Sequence, residues 1–348
     1  MSKIVDLRSD TVTHPGTAMR KAMSEATVGD DVLGEDPTIT CLEEATAEMF
    51  NMESGLFVAS GTQGNLLALF SHCQRGDEYI AGQAAHNYLE EGGGGAILAS
   101  IQPQPIPNEV NGTLSLDRVR DLIKPDDFHY ARTRLLCLEN TWHGKPLPLN
   151  YLDDARDLAR ERNLALHLDG ARVFNAAVQQ EVGVSRITSR FDSISACLSK
   201  GLGAPVGSVL CGSRFFIDSA RRWRKVLGGG WRQAGVLAAA GLYALEHHIE
   251  RLALDHHHAT LLAESLAEIE ELSVDNFPER TNMVWVEVPQ WSLANLAPSL
   301  HKEGVLICMD DYPVRLVTHL DINETDIRTA ARAFKNFFSK KDFKILRI

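Results

Sequence analysis

Residues 164–172 read Leu-Ala-Leu-His-Leu-Asp-Gly-Ala-Arg, and residues 193–201 read Ser-Ile-Ser-Ala-Cys-Leu-Ser-Lys-Gly. Each is a short, mostly apolar run that delivers a chemically useful group, Asp169 in the first and Lys200 in the second. Apolar runs of this length, punctuated by glycine and polar residues, read as buried strands. Between and around them lie helical patterns, and the strand–helix alternation predicts an α/β fold with a mostly parallel sheet covered by helices on both faces. Ligands of such sheets sit beyond the carboxyl ends of the strands, which is where Asp169 and Lys200 fall.

Working outward, residues 134–138, 164–168, 193–198 and 206–211 read as strands, with a helix over 152–162. Upstream, 17–27 and 37–50 have helical periodicity. The strand 55–59 runs into Ser60-Gly61-Thr62 and then a helical pattern over 65–73. Downstream, 237–266 reads as one long helix, and 281–338 as strand, helix, strand, strand, helix. The expected organisation is an extended N-terminal arm over 1–14, a large domain over 15–250, a smaller C-terminal α/β domain over 251–340 and a tail over 341–348.

Composition removes several function classes. The 348 residues carry a formal charge of −11, so no net basic field exists to draw in nucleic acid or anionic lipid. No apolar stretch approaches the ~18 residues of a membrane span, and the N-terminus lacks the pattern of a signal peptide. Six scattered cysteines without a CxxC pair argue against a disulfide framework or zinc site and for a reducing cytoplasm. His247, His248, His256, His257 and His258 fall on different faces of the long helix, so a solvated face is the expectation and no metal is predicted.

An aspartate and a lysine at neighbouring strand ends suit pyridoxal 5′-phosphate. The carboxylate keeps the pyridine nitrogen protonated, and the lysine condenses with the aldehyde. A buried Asp–Lys ion pair explains the same two residues equally well. Two further features favour the cofactor. Ser60-Gly61-Thr62 joins a strand to a helix, where glycine lets the backbone approach an anion and the helix N-terminus offers unpaired N–H groups. His86, in Ala-Ala-His-Asn-Tyr, is an imidazole able to stack on a pyridine ring.

The segments DLRSDTVT (6–13), VGDDVLGEDPT (28–38), SGTQGN (60–65), HLDGARVFNA (167–176), CLSKGLGAPVGS (197–208), LGGGWRQAG (227–235) and RLVTHLD (315–321) follow one another in this order. Together they resemble the low-specificity L-threonine aldolases, enzymes of the aspartate-aminotransferase fold, type I. The resemblance implies that Lys200 holds the cofactor, Asp169 meets its ring nitrogen, His86 stacks on the ring, and Ser60, Gly61 and Thr62 hold its phosphate. It also implies that Ser9, Arg172 and Arg315 bind the substrate carboxylate, Arg172 lying against the cofactor too, a task for which the bidentate guanidinium is suited. Arg232 is similar to an arginine that reaches the phosphate of a neighbouring subunit, which implies at least a dimer with shared sites, with a tetramer as the expected assembly. Lys225 matches a basic residue near the site, and His129 a second active-site histidine.

The activity implied is retro-aldol cleavage of L-threonine or L-allo-threonine to glycine and acetaldehyde. The base that takes the β-hydroxyl proton is left open between His86, His129 and a water held by them. Phenylserine cleavage or β-elimination on the same scaffold is the alternative, followed by a non-catalytic cofactor-binding protein. Glu90, Trp142 and Trp231 depart from the pattern and bear on side-chain preference.

Overall fold

The structure is a computed structural model that describes residues 3–339. The tail expected over 341–348 lies outside the described residues.

A seven-stranded sheet has the spatial order β2-β8-β7-β6-β5-β3-β4. Its strands are β2 (Ser54–Val58), β3 (Glu78–Gly82), β4 (Gln102–Ile106), β5 (Thr133–Glu139), β6 (Ala165–Asp169), β7 (Ser193–Cys197) and β8 (Ser208–Gly212). The neighbours from β7 to β4 pair in parallel, whereas β8 runs antiparallel to both β7 and β2. β3, β7 and β8 are buried along their whole length, as strands covered on both faces must be. The strand Gln102–Ile106 is less legible in sequence because it contains Pro103 and Pro105. It sits on the outer edge, where a missing N–H is tolerated.

Local chemistry sets the helix ends. The helix Pro37–Phe50 starts with Asp36, whose carboxylate accepts from the N–H groups of Thr38 and Ile39, and stops at Asn51 in a left-handed conformation (φ 56°). The same Asp36 accepts from Gly235 N–H at 2.9 Å, which ties this start to that of the helix Gly235–His247. The single helix expected over 237–266 is two, Gly235–His247 and Leu252–Ala267. The break follows His248, whose Nδ1 meets the Leu202 carbonyl at 2.6 Å. The solvated histidine face is also corrected: His256 is buried, and its Nε2 meets Asn175 Nδ2 at 3.2 Å.

The N-terminal arm is not free. β1 (Val5–Asp6) pairs in parallel with β11 (Val305–Leu306), and Val5 and Leu7 enter the C-terminal hydrophobic cluster. That cluster also takes in Ala259 to Phe338, around a small antiparallel sheet of β12 (Val314–Val317), β10 (Met283–Glu287) and β9 (Ser273–Val274).

Candidate active site

The carboxyl ends of β5 and β6 place Glu139 and Asp169 side by side in register. Asp169 is buried, and its carboxylate is held on both oxygens. Asn65 Nδ2 donates to Oδ2 at 2.7 Å, and the Ala171 N–H donates to Oδ1 at 3.1 Å. Asn65 Nδ2 also donates to Glu91 Oε1 at 2.8 Å, and the same oxygen meets His86 Nδ1 at 2.9 Å. The backbone N–H of His86 donates to Glu139 Oε2 at 2.8 Å. One asparagine and one histidine thus knit three carboxylates together.

Three acids so close cannot all hold a proton-free charge at ordinary cost. Burial, and then Asp169, push Glu139 up to about 7. Burial likewise raises Glu91. The hydrogen bond to Glu91 raises His86, with the Asp169 charge adding to it. His86, Glu91 and Asp169 present ligand atoms within 4.8 Å of one another, the spacing of a metal site, but Asn65 and the His86 ring already occupy those atoms.

Lys200 lies three residues beyond β7. Its backbone carbonyl accepts from Thr13 Oγ1 at 3.1 Å, while its amine makes no hydrogen bond or ion pair among the described residues. It is near enough to act electrostatically on Asp10, Glu139 and His86.

The turn Ser60-Gly61-Thr62 opens the helix Gly61–His72. Ser60 Oγ accepts from Gln63 N–H at 3.1 Å, leaving the N–H groups of Gly61 and Thr62 without an intrahelical acceptor. Both glycines of this turn of helix are required by close packing on β7. A Cβ at Gly61 would come within 2.8 Å of Cys197 Sγ, and one at Gly64 within 2.2 Å of Ser195 Oγ.

The residues expected to bind the substrate carboxylate are placed less simply. Arg172 is buried against Asp10 in a bidentate pair, Nε to Oδ2 at 2.8 Å and Nη2 to Oδ1 at 2.7 Å, which leaves the N–H groups of Nη1 and the second one of Nη2 for a ligand. Asp10 also accepts from Asn282 Nδ2 at 3.1 Å. Burial pushes the Asp10 carboxyl up, but the Arg172 guanidinium overrides it and holds it at about 2. Ser9 is half-buried, its Oγ accepting from Thr11 N–H at 3.2 Å. Arg315 pairs across the small sheet with Trp285, and its Nε lies 3.4 Å from Asp311. Trp285 stacks on His143, which stacks in turn on Trp142 (ring centroids 4.9 and 4.2 Å apart).

Two expected residues are not brought in. His129 is exposed, bonded to Asp127 at 2.6 Å, in the loop that leads into β5. Glu139 is at the other end of that strand, about 20 Å away, so within one chain His129 stays outside the cluster. Arg232 is 60% exposed and bound to Asp30 at 2.9 Å. Neither Asp10, Asn65, Glu91 nor Glu139 was picked out from sequence. Glu139 had a signal, since it ends an apolar strand as Asp169 does. Asn65 had none, because its partners are distant in the chain, and Glu91 none, because it reaches His86 only through the turn that follows it.

The donor set fits pyridoxal phosphate. A free lysine amine and a fixed carboxylate lie at the ends of adjacent strands, and unpaired N–H groups open a helix. The buried hydroxyls of Ser195 and Ser208, beside that helix start, have no protein partner. Lys200, Asp169, His86 and residues 60–62 are the groups that would hold it.

Comparison with known proteins agrees. The beta-eliminating lyase family matches residues 6–289. The chain is 52% identical over 337 residues to the low specificity L-threonine aldolase of Escherichia coli K12, covering 97% of this chain and 100% of that one. It is 43% identical to a probable low-specificity L-threonine aldolase 2 of Arabidopsis thaliana, covering 97% and 98%. Among solved structures, the threonine aldolase of Leishmania major superposes with a TM-score of 0.81 at 18% identity, covering 96% of this chain and 100% of that one, a likeness of fold.

Proposed function

The chain belongs to the beta-eliminating lyase family and, within it, to the low-specificity L-threonine aldolases, and we propose that it cleaves L-threonine and L-allo-threonine to glycine and acetaldehyde at the Lys200–Asp169 site. It is a carbon–carbon lyase dependent on pyridoxal 5′-phosphate. When bound, the cofactor supplies an aldehyde that captures the substrate amine and a protonated ring that takes up the electron pair of the broken Cα–Cβ bond.

The observation that carries the reading is the buried Asp169 carboxylate, fixed by Asn65 and the Ala171 N–H at the end of one strand, with a lysine amine that has no partner among the described residues just beyond the end of the next. Asp169 keeps a positive charge at the ring nitrogen. Lys200 is the amine that would hold the cofactor. Ser60, Gly61 and Thr62 hold the phosphate. Arg172, anchored by Asp10, offers its remaining N–H groups to the substrate carboxylate together with Ser9 and Arg315. His86, tied to Glu91, is the base within the chain for the β-hydroxyl proton, directly or through water. His129 and Arg232 serve only from other copies of the chain, in a homo-oligomer with shared sites. Residues 15–250 form the cofactor-holding unit and 251–340 the smaller domain, a division that the separate C-terminal hydrophobic cluster supports. A cytoplasmic setting is supported by six free cysteines.

Incubation with each threonine diastereomer, with and without added cofactor, tests the reaction. Acetaldehyde and glycine in equal amounts, dependent on cofactor, are expected. Ketoacid and ammonia instead would assign the site to β-elimination.

A further inference from the structure

Asn65 is the end of a longer chain of polar groups between the helix Gly61–His72 and the sheet. His72 Nε2 lies 2.7 Å from Ser193 Oγ, which lies 2.8 Å from His167 Nδ1. His167 Nε2 lies 3.1 Å from Asn65 Oδ1, and Asn65 Nδ2 meets Asp169 and Glu91. Ser193 and His167 are fully buried, and Asn65 nearly so. None of His72, Ser193 and His167 is used by the site described above.

We propose that His72, Ser193 and His167 form a one-directional hydrogen-bond relay that locks the Asn65 amide with both N–H bonds on the carboxylates of Asp169 and Glu91, His167 being the positioning residue. The direction follows from donor counting. An ionised carboxylate only accepts, so both amide hydrogens of Asn65 are spent on Asp169 and Glu91, and Oδ1 can only accept. His167 must therefore carry its proton on Nε2. Burial drives its pKa down to about 3, so the ring is neutral and Nδ1 accepts from the Ser193 hydroxyl. That hydroxyl has one proton, so it accepts in turn from His72 Nε2–H. Burial also holds His72 neutral, at about 4, and its ring is stacked on Phe216 at 4.5 Å. Turning the Asn65 amide over would face its oxygen to two carboxylates and leave His167 Nε2–H without an acceptor. The relay thus fixes Asp169 from behind, and its catalytic meaning rests on the assignment of Asp169 to the cofactor ring.

Nitrogen-15 NMR of histidine-labelled holoenzyme reads the relay directly. His167 and His72 are expected neutral and protonated on Nε2 between pH 6 and 9, assigned by the loss of their signals in single variants. An Nδ1–H form of His167, which would donate to the nearby Ser193 carbonyl instead, or a charged ring, would overturn the proposal. Cofactor dissociation provides the second readout. His167→Leu, which removes the donor, is expected to weaken cofactor binding about tenfold or more. His167→Gln, whose amide donates from the same place, is expected to restore most of it. Equal loss in both variants, or no loss in His167→Leu, would contradict the relay. If borohydride instead placed the cofactor on a different lysine while the tautomers were as expected, the relay would stand and the assignment of Asp169 would fail.

Discussion

Asp10 fixes the orientation of Arg172, the residue proposed to bind the substrate carboxylate. Its carboxylate occupies two of the five donors of Arg172 and orients the rest. Removing one partner of a buried pair leaves the other charge uncompensated, which costs about 3–5 kcal/mol. Asp10→Asn is therefore expected to lower stability by that order in urea denaturation and to raise KM for threonine. The pH dependence has a definite sign. The folded pKa, about 2, is below the ordinary aspartate value of 3.8, so the pair's contribution is fully present above pH 4 and is lost as pH falls toward 2. It is worth about 2 kcal/mol. Between pH 4 and 2 the unsubstituted protein should lose stability more steeply than Asp10→Asn, and equal slopes would contradict the assignment. At this scale the sequence exposed residues that end apolar strands or sit in turns, such as Asp169, Lys200 and Ser60. It hid Asn65, Glu91 and Asp10, whose roles arise from contacts with residues more than twenty positions away, or, for Glu91, from a turn five residues beyond His86.

Among elements, the helix Gly61–His72 brings Ser60, Gly61, Thr62 and Asn65 to the candidate site. It lies on β7 with no room for a side chain at Gly64, where a Cβ would meet Ser195 Oγ at 2.2 Å and Ser195 Cβ at 3.1 Å. Gly64→Ala must push the helix start or the strand aside, at about 1–3 kcal/mol. A lower melting temperature and weaker cofactor retention are expected, with part of both recovered in a Ser195→Ala background. A thermal midpoint unchanged by Gly64→Ala would show that this packing is loose. Periodicity made this helix and Pro37–Phe50 readable, the latter to the residue, since Asp36, Pro37 and Asn51 are strong end signals. It missed the break between the helices Gly235–His247 and Leu252–Ala267, because the apolar pattern continues through it and the interruption is set by His248 reaching across to Leu202. It also did not show that β2 and β8 run antiparallel, since strand direction leaves no trace in a short apolar run.

For the whole molecule, the arm and the loops connect regions that sequence treats as separate. The arm over 3–14 is part of the C-terminal packing through Val5 and Leu7, and it carries Asp10 to Arg172. Exposed His129 and Arg232 are explained if each completes a site in another copy of the chain. Subunits carrying Lys200→Ala and subunits carrying Arg232→Ala, each inactive alone, are then expected to regain activity when unfolded and refolded together. No recovery, with mixed oligomers formed, would confine each site to one chain. The central claim, that Lys200 is the amine holding the cofactor, has the most direct test. Holoenzyme reduced with borohydride, digested and analysed by mass spectrometry should carry the pyridoxyl group on the peptide containing Ser199-Lys200-Gly201, and Lys200→Ala protein should carry none. A pyridoxyl group on any other lysine, or its persistence in Lys200→Ala, would contradict the account.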